Sequence, residues 1–118
     1  GCERGNAEFK YPDAWADINF WGNELTLHAT DPNQKSTSER HNVDMGNVTV
    51  PHFGVHLDAK TFKNLKQRLI DKKIKFIDPP YIRFKGEDIE QETMFLADPN
   101  GNCMEIKTMK NPNTLFKK

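Results

Sequence analysis

Two distant segments constrain the fold most: PHFGVHLD at 51–58 and ADPNGNCMEIK at 97–107. In the first, Phe53, Val55 and Leu57 alternate with His52, Gly54 and His56, the two-residue period of a strand with one apolar and one polar face. In the second, an Asp-Pro-Asn-Gly turn at 98–101 opens a strand. Its Met104 and Ile106 point one way, and Cys103, Glu105 and Lys107 the other. Between the two segments, Asp58 stands where a helix N-cap belongs, and 59–73 carries the stripe Phe62, Leu65, Leu69 and Ile70 with lysines and Arg68 facing water. A strand at 74–77 stops at Pro79-Pro80 and a polar loop runs through Glu90. Strands at 93–97 and 103–109 then complete the order β-α-β-β-β.

The upstream part repeats the end of that pattern. After a short strand at 7–11, residues 15–21 place Ala16, Ile18 and Phe20 opposite Trp15, Asp17, Asn19 and Trp21. Gly22-Asn23 then connects to 24–30, where Leu25 and Leu27 oppose Glu24, Thr26 and His28, so the pair reads as a hairpin. The expected architecture is α+β: paired βαβββ modules forming a curved mixed sheet around a cup, the first lacking its leading strand and helix. Residues 1–30 are the truncated first module, 31–48 a polar linker, 49–110 the second module and 111–118 a tail, all within one domain. The absent unit implies about 25 further residues upstream, the size of a β-α unit with its loops. Ile18, Phe20, Leu25 and Leu27 then need either an upstream segment or a second chain, such as a homodimer partner, to cover them.

Lys plus Arg and Asp plus Glu both number 17, with no long block of one sign. That balance argues against nucleic acid or an anionic membrane as the partner. No apolar run approaches the roughly 18 residues of a membrane span. Cys2 and Cys103 lie far apart without metal-type spacing, so reduced thiols in a cytoplasmic protein are expected.

If Phe53, Val55, Leu57, Met94, Leu96, Met104 and Ile106 face helices, the opposite, concave face collects His28, His52, His56, Thr93, Phe95 and Glu105. Two histidines and a glutamate from different strands match the donor set that holds Fe(II), Mn(II) or a similar divalent ion with positions left open. The bland alternatives are hydrogen-bonded strand histidines and an edge carboxylate paired with a lysine.

At these residues the sequence resembles the vicinal oxygen chelate superfamily, which includes glyoxalase I, the bleomycin-resistance proteins and the extradiol dioxygenases. The matches are the strand with His52, the helix after it, and ADPNGNCMEIK with Glu105. The stretch YIRFKGEDIEQETMFLADPNGNCMEIK looks like an extradiol-dioxygenase-like bacterial subgroup. The resemblance implies a metal held by His52, Glu105 and His28, with a further ligand on the absent leading strand. It implies Fe2+ or Mn2+ first and Zn2+ or Ni2+ as alternatives, with a substrate that chelates the metal through neighbouring oxygens. Related dioxygenases place a tyrosine ten positions before the glutamate, where this chain has Phe95, a ring that can neither donate a hydrogen bond nor exchange a proton. His56 could substitute as acid or base, Arg83 could grip an anionic substrate and Tyr81 could orient it. Besides dioxygenase-like chemistry, a glyoxalase I-type isomerase or lyase and a metal-free, drug-resistance-like binding protein remain open.

Overall fold

The computed structural model describes residues 2–31, 33, 40–43, 46–49 and 52–116. The chain divides into two units, Gly1–Lys35 and Ser36–Lys118, the first with one sheet and the second with two among the described residues.

In the first unit, β1 (Arg4–Glu8), β2 (Trp15–Phe20) and β3 (Asn23–His28) form an antiparallel sheet in the order β1-β2-β3. The β2–β3 register pairs Ala16 with Leu27 and Ile18 with Leu25, and Trp15 with His28 and Asp17 with Thr26. The two faces are therefore those the alternation predicts. The turn holds Trp21 and Gly22 at positive φ and is closed by the Gly22 N–H donating to Asn19 Oδ1 at 2.8 Å. β1 lies at Arg4–Glu8 rather than 7–11, because it is β2 that sets its position: Arg4 pairs with Ile18 and Glu8 with Trp15.

In the second unit, β6 (Phe53–His56), α1 (Ala59–Asp71), β7 (Phe76–Arg83), β8 (Gln91–Ala97) and β9 (Cys103–Met109) give a four-stranded sheet in the order β6-β9-β8-β7. β6 joins β9 in parallel, the crossover being made by α1 and the two antiparallel strands after it. The helix starts where Asp58 Oδ1 accepts from the Thr61 N–H at 2.9 Å, the N-cap expected from the sequence. It packs on β9, with Phe62 buried, and Lys66 Nζ meets Glu92 Oε1 on β8 at 2.8 Å. Of the predicted stripe, Leu65 and Leu69 are half-buried and Ile70 is exposed.

Two stretches beyond the first sheet also differ from expectation. β7 runs straight through Pro79-Pro80 instead of stopping before them. It is the edge strand, and its pairing with β8 shifts register between Phe76 and Asp78 and again between Asp78 and Tyr81. Irregular pairing at an edge is where a residue without an N–H is tolerated. Within the stretch read as a linker, β4 (Arg40–Val43) and β5 (Gly46–Thr49) pair as an antiparallel hairpin. Val48 of β5 is fully buried, in a cluster with Phe95 and Cys103 against which Ile77 packs. Among the described side chains of this segment, Val48 seats the hairpin on the sheet. With α1 on one side and Val48 on the other, β8 has Thr93, Met94, Phe95 and Leu96 all buried.

The Asp98–Gly101 turn forms as predicted: Gly101 has φ 92°, and Asp98 Oδ1 accepts from the Asn100 and Asn102 N–H groups. The tail carries a short 3-10 helix, Pro112–Thr114, anchored by the Thr114 hydroxyl donating to the Asp88 carbonyl at 3.2 Å. Lys117 and Lys118 lie outside the described residues. Among the described residues no helix is long and apolar enough to cross a membrane.

Candidate metal centre

Register places the polar residues of the second unit in rows across one face. Asp78, Phe95, Glu105 and Gly54 lie side by side from β7 to β6, and Tyr81, Thr93, Lys107 and His56 form the next row. His52 immediately precedes β6.

Gly54 is what lets β6 come this close. A Cβ there would overlap the Glu105 carbonyl oxygen and stand 2.9 Å from its carbonyl carbon. A cavity of about 320 Å³ lies beside this pairing, bounded by His52, His56, Glu105 and Lys107.

At the centre is Glu105, its side chain only 13% exposed. Its Oε1 accepts from the hydroxyl of fully buried Thr93 at 2.9 Å, which fixes the carboxylate plane. Its Oε2 faces His52 Nε2 at 3.8 Å and Lys107 Nζ at 3.4 Å. The His52 ring meets Phe95 edge-on, with centroids 5.4 Å apart and an interplanar angle of 87°. Phe95 is therefore both the neighbour of Glu105 in register and the apolar wall that orients the imidazole.

His52 and Glu105 are thus brought together as expected. The pair fits a divalent ion in donor chemistry: an imidazole nitrogen and a carboxylate oxygen converge, and the carboxylate is already held by an outer hydrogen bond. No group of three or more His, Cys, Asp or Glu arranged to hold a metal occurs among the described residues. His28, the third expected ligand, ends β3 in the first unit, where it is exposed and pairs with Trp15. Cys103, on the face of Glu105, is buried in the cluster with Val48 and Phe95, a packing role.

His56 lines the cavity beside Lys107, its Cα partner. Its Nε2 is buried without a hydrogen-bond partner, and burial, followed by the charge of Lys107, pushes the imidazole below its ordinary value of 6.5. The folded chain therefore resists protonation where the unfolded chain accepts it, so stability falls as pH drops through 6.5 and the loss levels off below the folded value. Urea midpoints at pH 7.5 and pH 5.5 should differ more for the wild type than for His56→Gln.

Tyr81 and Arg83 lie on β7, not in a loop, paired with Thr93 and Gln91. At about 4.8 Å per strand, Tyr81 stands roughly 14 Å across the sheet from His56. Neither borders the cavity, and the Arg83 guanidinium lies over the Phe84 ring, 4.9 Å from its centroid. Sequence reasoning placed Thr93 on this face but missed its bond to Glu105, and it passed over Gly54 and Lys107. A glycine inside a strand pattern was the available signal for close backbone approach.

No protein-family model matches the chain, and no curated protein does. Among solved structures it is similar to a glyoxalase/bleomycin resistance protein/dioxygenase from Alicyclobacillus acidocaldarius. That likeness has 29% identity and a TM-score of 0.71, covering 98% of this chain and 79% of that one. It is also similar to the genomically encoded fosfomycin resistance protein FosX from Listeria monocytogenes, at 11% identity and a TM-score of 0.58, covering 91% and 72% of the two chains. The second likeness concerns the fold alone. Together they bear out the α+β architecture and the resemblance drawn from the sequence.

Proposed function

We propose that this chain is a metal-dependent, dioxygenase-like enzyme of the vicinal oxygen chelate superfamily, acting on a small substrate that presents two neighbouring oxygens. His52 and Glu105 are its metal-holding residues. The observation that carries the reading is the convergence of His52 Nε2 and Glu105 Oε2 at 3.8 Å beside an open cavity, with the second carboxylate oxygen already occupied by Thr93.

A bound Fe2+ or Mn2+ supplies Lewis-acid polarisation of the chelating oxygens. The protein's own part is positional. Thr93 keeps one oxygen of Glu105 turned away and the other turned towards His52. Phe95 walls the imidazole and offers no proton, so it supports substrates other than a catechol activated through a tyrosine. His56, whose pKa is lowered by burial and then by Lys107, is the acid-base group bordering the cavity that is not assigned to the metal or its counter-charge. Tyr81 and Arg83, outside that cavity, have no assigned step.

The test is a titration with Mn2+ followed by calorimetry, together with elemental analysis of the purified protein. One ion per chain is expected in the wild type, and loss of binding in His52→Ala with the fold intact by circular dichroism. Unchanged metal content in His52→Ala would overturn the assignment. His28→Ala in the same titration decides the third expected ligand.

A further inference from the structure

Two groups compete for one oxygen. Glu105 Oε2 faces His52 Nε2, and the same atom receives the Lys107 ammonium at 3.4 Å, a long and partly exposed contact. Oε1 is engaged by the hydroxyl of fully buried Thr93, which leaves Oε2 as the oxygen turned towards His52. A cation seated between His52 and Oε2 therefore meets an oxygen that Lys107 already partners.

Resting on the metal-centre reading above, we infer that Lys107 is an exchangeable counter-charge: a divalent ion displaces its ammonium from Glu105, and the freed ammonium then receives an anionic substrate. Lys107 lies two residues beyond Glu105 on the same face, and its flexible four-carbon stem lets the charge swing within the cavity. The charged groups bordering the cavity, Glu105 and Lys107, cancel one another. Adding a divalent ion leaves the cavity positive by two charges, so the substrate class it favours is a dianion whose neighbouring oxygens chelate. The cavity of about 320 Å³, bordered by both Glu105 and Lys107, is large enough for such a ligand.

This assignment makes one substitution move two affinities in opposite directions. Lys107→Met removes the competitor, so Mn2+ should bind about tenfold tighter. It also removes the receiver, so oxalate should bind the Mn2+-loaded variant about tenfold weaker than the Mn2+-loaded wild type. Both are read by calorimetry on the full chain, and Lys107→Arg, which keeps the charge, should restore the oxalate affinity towards wild type. A lysine with a merely structural role would shift both affinities the same way. Equal or weaker Mn2+ binding by Lys107→Met, or unchanged oxalate binding, overturns the inference while leaving His52 and Glu105 as ligands. Absence of Mn2+ binding by wild type and variant alike overturns the metal centre, and this inference with it.

Discussion

Gly54→Ala is expected to destabilise the protein by roughly 3 kcal/mol, at the upper end of what overpacking costs. The sign is the informative part. Replacing a strand glycine whose backbone an L-residue can adopt ordinarily gains about 0.4–1 kcal/mol by restricting the unfolded chain. Here the added carbon would meet the Glu105 carbonyl oxygen and carbon, which are backbone atoms held in the β8–β9 ladder and cannot swing aside. Relief requires β6 to move off β9, loosening the parallel pairing from Phe53–Met104 to His56–Lys107. Gly5→Ala is the comparison: its added carbon would sit 3.4 Å from Asp17 Cβ, an ordinary contact, and should change stability little. Urea denaturation of the two variants beside the wild type checks both. A stable Gly54→Ala protein would mean that β6 and β9 are not so closely paired, and the approach of His52 to Glu105 would lose its basis.

What the sequence made legible follows from how local the determinants were. Alternation at 93–97 and 103–109 with the Asp-Pro-Asn-Gly turn between them is a short-range signal, and β8, β9 and the turn lie where it pointed. Asp58 before an apolar stripe placed α1 to within two residues at its end. Because strand faces follow from parity, the same alternation put Thr93, Phe95 and Glu105 on one side, and register confirms it. The prolines at 79–80 misled because their cost depends on whether the strand is central or at the edge, which only the sheet order decides. β4 and β5 were unreadable because an anchor of theirs, Val48, packs on residues 47 and 55 positions further along the chain. The sharing of Glu105 Oε2 between His52 and Lys107 depends on side-chain rotamers, which periodicity does not report.

Glu105→Gln should abolish metal binding, with a loss on the order of a hundredfold or more, while leaving the fold in place. Glutamine keeps the length and planarity of the side chain, and its carbonyl oxygen can still accept from the Thr93 hydroxyl, so the buried donor remains satisfied. What is removed is the negative charge that balances Lys107 and attracts a cation beside His52. Lys107 then stays in the cavity as an uncompensated positive charge, which repels a divalent ion in addition to the lost attraction. The double variant Glu105→Gln, Lys107→Met separates the two contributions: it should recover part of the affinity lost by Glu105→Gln, because the repulsion is gone while the weak amide ligand remains. Mn2+ titration by calorimetry, with urea midpoints to show that stability is little changed, makes the measurement. Wild-type affinity in Glu105→Gln would remove the carboxylate from the site and leave Glu105 as the ion-paired strand residue that the bland reading of the sequence describes.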